Sequence, residues 1–172
     1  LSLLVEGDIV THSFNGHENR VVDDKGKVRA DVLEARERGV LLDIGHGSGS
    51  FSFETARAML AQGQPPDIIS TDLYSSNVDG PVYDLPTTLS KFLALGMSLE
   101  DVIIRATEKP AAIIGKGDGL GSLEVGETGD VSILELLDGE FELTDCHRET
   151  LVGEQRLVSA GTIRAGRLME VE

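Results

Sequence analysis

Residues 41–51 read LLDIGHGSGSF, a short strand-like run that gives way to alternating glycines. We predict a buried strand over 40–44, because a brief, mainly aliphatic run bounded by turn residues is typical of a strand covered on both faces. The glycines at 45, 47 and 49 predict a tight turn with close approach of the backbone. A helix is predicted to follow over 52–62. A strand, a turn and a helix in this order indicate an α/β fold.

The alternation of strand and helix continues on both sides of this stretch. Brief apolar runs predict two further strands, over 9–11 and 67–71. Further helices are predicted over 30–38, over 87–95, and from the capping box of Ser98 and Asp101 up to a stop before Pro110. Such alternation is the pattern of βαβ units, so we predict a parallel sheet.

After residue 115 the apolar period changes from that of a helix to that of a strand. Apolar and polar residues alternate around 131–133 and 141–143, and Asp138-Gly139 between them predicts a two-residue hairpin turn. Residues 115–154 also carry 11 of the 30 acidic side chains, which we interpret as a solvated face. The change in pattern and charge predicts two domains, 1–112 and 113–172.

Composition restricts the partners of the chain. The 30 acidic and 15 basic residues give a formal charge of −15, which argues against nucleic acid and anionic membranes as partners. No run approaches the roughly 18 apolar residues of a membrane span. The single cysteine and the absence of a secretory pattern in residues 1–6 predict the cytoplasm. A start at Leu1 leads us to expect part of a longer protein.

Each of the three early strands ends in a residue of catalytic type: His12, His46 and Asp72. The steps between them, 34 and 26 residues, resemble one βα unit of a (β/α)8 barrel, which averages about 31 residues. Active sites of α/β folds lie at the carboxyl ends of the strands, so we expect both imidazoles and the carboxylate to face one cavity mouth. The alternative is structural: a strand-end histidine is often hydrogen-bonded internally, and Asp72 could cap a turn. His17 and His147 lack this placement and are predicted surface residues.

The glycine-rich stretch also allows a second interpretation. Asp43, Gly45, Gly47 and Gly49 look like the glycine loop of S-adenosylmethionine-dependent methyltransferases, with Asp72 at the position of a ribose-binding acid. This alternative leaves His12 and the antiparallel tail unexplained. No Gly-Lys-Ser/Thr follows, so the stretch is not a phosphate-binding loop of the Walker type.

Four segments together resemble the amidohydrolase superfamily, in its amidohydrolase/deacetylase branch related to dihydroorotases. They are GDIVTHSFNG (7–16), DIGHGSGSFSF (43–53), residues 69–103 and GSLEVGETGDVSILEL (121–136). The resemblance implies the C-terminal part of a (β/α)8 TIM barrel, strands 6 to 8, followed by a segment of a small β-sandwich. Domain 1–112 would be the partial hydrolase barrel, and 113–172 the C-terminal part of the sandwich.

The resemblance also implies roles for individual residues. His12 and Asp72 would be ligands of a divalent metal centre, most simply Zn²⁺, with Asp72 also serving as the proton shuttle. His46, Gly47 and Ser48 would line the substrate pocket. Asn15 and Tyr74, just beyond strands 6 and 8, would contact the substrate.

The superfamily's remaining metal ligands have no counterpart in these 172 residues. The His-x-His pair of strand 1, the bridging lysine of strand 4 and the histidine of strand 5 would lie in the missing part of the barrel. We therefore expect the C-terminal portion of a metal-dependent hydrolase of amide or ester bonds, acting on a small, deacetylase-like substrate and inactive as this chain alone. A homo-oligomer is left open.

Overall fold

The computed structural model describes residues 1–117 and 119–169. Its first part contains three short parallel segments: β1 (Ile9–Val10), β2 (Leu41–Leu42) and a third segment around Ile68. β1 pairs in parallel with β2, and Asp43 forms a parallel bridge with Ile68. The third segment continues alongside the second, because the backbone N–H groups of Ile44, His46 and Gly47 donate to the carbonyls of Ile68, Ser70 and Thr71. The predicted parallel arrangement is therefore confirmed.

Five helices cover these segments in the described part of the chain. Their bounds are α1 (Ala30–Glu37), α2 (Phe53–Ala61), α3 (Leu85–Ala94), α4 (Leu99–Ile104) and α5 (Glu108–Ile113). Side-chain caps fix three of the starts: Ser52, Asp84 and Ser98 accept from the backbone N–H of the residue three positions later. The helices predicted to start at residues 30, 52, 87 and 98 begin within two residues of these positions.

The helix predicted from Ser98 ends before Pro110, as expected, but already at Ile104. A further helix that was not predicted, α5, contains Pro110 in its first turn. A proline is tolerated in the first turn because its missing N–H would have no partner within the helix there.

The last part of the chain is an antiparallel sheet in the order β3-β4-β5, formed by Val131–Thr144, Thr150–Arg164 and Arg167–Leu168. The turn predicted at Asp138-Gly139 is wrong: β3 runs through this pair, and the register shifts there instead. The turn lies at 145–149, where the Asp145 carboxylate accepts from the backbone N–H groups of His147 and Glu149. These hydrogen bonds stabilise the turn at 145–149. The Asp138-Gly139 pair instead lies at a bulge-like shift of register within β3.

One hydrophobic core joins the two parts of the chain. Leu143 and Leu157 of the hairpin pack in the same cluster as Phe92 of α3 and Phe51. The backbone N–H of Leu157 donates to the side chain of Ser90 on α3. The boundary predicted between 112 and 113 falls inside α5, and the division into two domains stays a prediction.

None of the helices in the described ranges is both long and apolar enough to cross a membrane.

Candidate active site

The parallel register brings two of the three strand ends together. His12 follows β1, and Asp72 follows the third segment. The Nε2 atom of His12 lies 4.0 Å from Oδ2 of Asp72, and the two side chains are 42% and 52% exposed. Both residues have left-handed backbone conformations, with φ of 55° and 48°. Such conformations cost energy in residues other than glycine and cluster at functional sites.

The ring of His12 is oriented by the glycine loop. Its Nδ1 lies 2.5 Å from the carbonyl oxygen of Gly45. A carbonyl can only accept, so Nδ1 carries the hydrogen and Nε2 is left with a free electron pair. Gly45 itself has φ of 47°, and a Cβ atom there would lie 2.9 Å from Nδ1 of His12. The loop thus needs glycine at this position to hold the ring.

Asn15 supports the backbone of His12. Its Nδ2 donates to the carbonyl of His12 at 2.8 Å, and its Oδ1 accepts from the backbone N–H of His17 at 2.9 Å. Both ends of the Asn15 amide are therefore engaged by the chain itself, and its predicted contact with the substrate stays a prediction.

Ser48 and Tyr74 contact each other close to the pair formed by His12 and Asp72. The Tyr74 hydroxyl lies 2.7 Å from Oγ of Ser48, and both residues are exposed. Hydrogen bonds from Ser48 and then Ser76 lower the pKa of Tyr74. A Cβ atom at Gly47 would lie 3.0 Å from Oδ2 of Asp72, so the loop backbone runs directly past the carboxylate. Gly47, Ser48, Asp72 and Tyr74 thus lie together.

His46 differs from the expectation that both imidazoles face one cavity mouth. Its ring is fully buried, stacks on Phe51 with centroids 4.7 Å apart, and its Nε2 lies 2.8 Å from Nζ of Lys91. Its Nδ1 lies 2.9 Å from the carbonyl of Gly47, to which it donates. Burial, followed by the charge of Lys91, lowers the pKa of His46 from 6.5 to about 4. The His46 ring therefore lies in the core. It does not face the edge of the sheet where His12 and Asp72 lie.

Sequence reasoning missed the structural roles of three buried residues around this site. Lys91 on α3 is fully buried, donates to the carbonyl of Pro81 at 2.7 Å, and has its pKa lowered by burial to about 8. Asp145, grouped above with the solvated acidic residues, is buried and accepts from the N–H of Phe53 at the start of α2. Asp43 is buried and accepts from two hydroxyl groups. Of these three residues, only Asp43 stands out in the sequence, because it is the one charged residue in a strand-like run. His17 and His147 are exposed, as predicted.

The donor types of His12 and Asp72 fit a divalent metal. A free imidazole nitrogen and a carboxylate are ligands that Zn²⁺ prefers, and the hydrogen bond from the other ring nitrogen to a carbonyl is the usual support of a metal-binding histidine. Within residues 1–117 and 119–169, no group of three or more His, Cys, Asp or Glu side chains is placed to hold a metal ion. Within the described ranges, the residues suited to a divalent metal at this edge are thus the pair His12 and Asp72, without a third His, Cys, Asp or Glu placed beside them.

Comparisons with known proteins cover nearly the whole chain. No family model matches it. It is 36% identical over 172 residues to a protein named deacetylase from Enterococcus faecalis, covering 99% of the chain and 46% of that relative. Identity to a deacetylase from Agrobacterium fabrum is 41% over 150 residues, covering 84% of the chain and 35% of the relative. The chain thus spans less than half the length of these curated relatives.

Solved structures that resemble the chain point to the same kind of protein as these relatives. The crystal structure of an adenine deaminase superposes with a TM-score of 0.95 at 35% identity, covering 99% of this chain and 46% of that one. That of a dihydroorotase gives a TM-score of 0.86 at 34% identity, covering 99% and 44%. The methyltransferase alternative has no support among these proteins. The chain, a mixed α/β structure that superposes on somewhat less than half of each of these proteins, belongs to the amidohydrolase superfamily.

Proposed function

We propose that this chain supplies part of the active site of a metal-dependent hydrolase that cleaves amide or ester bonds of a small, deacetylase-like substrate. One observation carries the proposal: Nε2 of His12, with its electron pair free, lies 4.0 Å from the carboxylate of Asp72 at one edge of the parallel sheet. The relatives named deacetylase support the reaction class.

The proposed architecture is the C-terminal part of a (β/α)8 barrel, strands 6 to 8, leading into a small β-sandwich to which β3, β4 and β5 contribute. The remaining strands would come from sequence outside these 172 residues. The 46% and 44% coverage of the adenine deaminase and dihydroorotase chains supports this arrangement.

His12 and Asp72 would hold a divalent metal, with Zn²⁺ the proposed ion and further ligands supplied by the rest of the barrel. A divalent metal there supplies Lewis-acid activation, so that water can act as a nucleophile near neutral pH. The carbonyl of Gly45 keeps the His12 ring in the tautomer that presents Nε2.

The other residues act on the substrate and on protons. Asp72 would take a proton from the attacking water and return it to the leaving nitrogen or oxygen, as a carboxylate within hydrogen-bond reach can do. Its left-handed backbone is held by Asn77, whose Nδ2 donates to the carbonyl of Asp72 at 2.9 Å. The hydroxyl pair of Ser48 and Tyr74 would hydrogen-bond the substrate on the exposed side of this edge.

The formal charge of −15 supports a small-molecule substrate, and argues against nucleic acid or an anionic membrane as partner. The single cysteine supports a cytoplasmic location.

The test uses an assembled enzyme, in which this chain is joined to the part of the Enterococcus faecalis deacetylase that has no counterpart in it. Metal content and release of acetate from N-acetyl and O-acetyl compounds are measured. We expect one or two divalent ions and measurable hydrolysis. His12→Ala should lower metal content and turnover together, and Asp72→Asn should lower turnover at least about 100-fold, the size typical of a lost acid–base group.

The matched control is His17→Ala, which removes an exposed imidazole near His12 in sequence. It should retain the activity of the parent. Unchanged turnover in both His12→Ala and Asp72→Asn, in an assembled enzyme that hydrolyses its substrate, would remove the assigned roles.

A further inference from the structure

A buried carboxylate ties together the two segments that end in His12 and Asp72. Asp43 is 8% exposed and follows β2, between these segments. Its Oδ2 accepts from the hydroxyl of Thr11 at 2.7 Å, and its Oδ1 accepts from the hydroxyl of Ser70 at 2.7 Å. Thr11 directly precedes His12, and Ser70 lies two residues before Asp72. Each carboxylate oxygen therefore fixes one of the two ligand-bearing segments.

The same network includes the loop that orients His12. The backbone N–H of Gly45 donates to the Ser70 hydroxyl at 3.1 Å, while the carbonyl of Gly45 accepts from His12. The backbone carbonyl of Asp43 accepts from both the N–H and the hydroxyl of Ser13, on the far side of His12. Displacing Asp43 would therefore move His12 from both directions.

The charge of Asp43 is not balanced by a cation. Within the described ranges, no Lys, Arg or His nitrogen forms an ion pair with it at 4.0 Å or less. Asp67, by contrast, pairs with Arg36 at 3.1 Å. A buried carboxylate held only by two neutral hydroxyl groups is costly, and a cation nearby would offset much of that cost.

We propose that Asp43 is a positioning residue for the metal centre, and that its negative charge and its two hydroxyl partners raise the affinity of the His12–Asp72 pair for a divalent cation. The inference rests on the proposed function. Supporting groups of this kind typically change metal affinity by about 10- to 100-fold when removed.

The experiment titrates the metal-free form of the assembled enzyme described above with Co²⁺ and follows paramagnetic broadening of the His12 ring signals by NMR. Asp43→Asn keeps the size of the side chain and removes its charge. It should weaken Co²⁺ binding about 10- to 100-fold and change the visible spectrum of the bound Co²⁺. Thr11→Val removes one hydroxyl partner and should also weaken Co²⁺ binding. Thr11→Ser retains the hydroxyl and should keep the Co²⁺ affinity of the parent.

Asp67→Asn is the matched control, because it neutralises a partly buried carboxylate at the start of the third segment, five residues before Asp72. The Asp67 carboxylate also accepts from the backbone N–H of Leu42, a hydrogen bond that the amide oxygen of asparagine can keep, so Co²⁺ affinity should stay within about twofold of the parent. Equal affinity and spectrum in Asp43→Asn and the parent would overturn the inference, as would an equal loss in Asp67→Asn. An assembled parent enzyme in which Co²⁺ leaves His12 unaffected would instead overturn the proposed function, and the inference with it.

Discussion

The ring of His12 and the carboxylate of Asp72 face each other at 4.0 Å, and both residues adopt a left-handed backbone that L-residues rarely take. Each strained residue is held by a hydrogen bond from outside its own turn or strand. Gly45 accepts from the His12 ring, and Asn77 donates to the Asp72 carbonyl. Strain of this kind persists only where the surroundings enforce it, which supports a functional role for the pair.

The glycine loop should be intolerant of a side chain at Gly45. An alanine there would occupy a left-handed conformation and its Cβ would approach Thr11 and His12. We expect Gly45→Ala to lower the free energy of unfolding by about 2 kcal/mol or more, from the backbone penalty and the contact together. Urea-induced unfolding provides the measurement.

Gly49→Ala is the control, since a Cβ at Gly49 meets open space. It should change the free energy of unfolding by about 0.5 kcal/mol or less. Equal effects of the two substitutions would mean that the loop at Gly45 is not held as described.

Acid should destabilise the chain through His46. The folded chain protonates this ring only near pH 4, whereas the unfolded chain does so near 6.5, because burial and Lys91 lower its pKa. The unfolded state therefore binds more protons between these values, and stability is lost as the pH falls from 6.5 to 4. Over this range the parent should lose about 3 kcal/mol relative to His46→Gln. Parallel curves of unfolding free energy against pH for the two proteins would contradict the buried, neutral ring.

The hairpin turn should depend on Asp145 and not on Asp138. Asp145 is buried and its carboxylate accepts from three backbone N–H groups, those of Phe53, His147 and Glu149. Removing it leaves one buried and two partly buried N–H donors unpaired, so Asp145→Ala should cost about 2 to 4 kcal/mol of unfolding free energy. Thermal and urea unfolding both measure this.

Asp138→Ala is the matched substitution, in an exposed residue whose side chain accepts only from Gln155. We expect a change of about 0.5 kcal/mol or less. A larger cost for Asp138→Ala than for Asp145→Ala would place the turn where the Asp-Gly pair predicts it.

The Ser48–Tyr74 contact can be read directly from a titration. The chain has two tyrosines, so Tyr83→Phe leaves Tyr74 as the single phenol that absorbs on ionisation. Its pKa should lie below the usual value of 10, because Ser48 and Ser76 hydrogen-bond to it. Adding Ser48→Ala should raise that pKa toward 10. An unchanged titration after Ser48→Ala would show that the two hydroxyl groups are apart in solution.

Local signals predicted much of the fold. Ser52 and Ser98 cap helices where their sequence context indicates, and the apolar runs before His12 and Asp72 form parallel segments. The caps depend on residues a few positions apart, which a single sequence contains, whereas the parallel pairing follows from the alternation of strands and helices along the first part of the chain.

Apart from α5, which contains Pro110, the failures involve partners far apart in the chain. Lys91 and His46 are 45 residues apart, and the burial of a lysine depends on packing that its own helix does not reveal. Asp145 reaches Phe53 across 92 residues, and its three hydrogen bonds outweigh the Asp-Gly signal at 138–139. The orientation of the His46 ring, inward and not toward the edge of the sheet, follows from the same Lys91 contact.

The most direct test of the account is the ¹⁵N NMR spectrum of the His12 ring in the assembled enzyme, before and after addition of Zn²⁺. The account predicts that Nδ1 carries the hydrogen, because it donates to Gly45, and that the Nε2 resonance alone shifts when Zn²⁺ is added, with the shift abolished in Asp72→Ala. A ring protonated on Nε2, or an Nε2 resonance that ignores Zn²⁺, would contradict it.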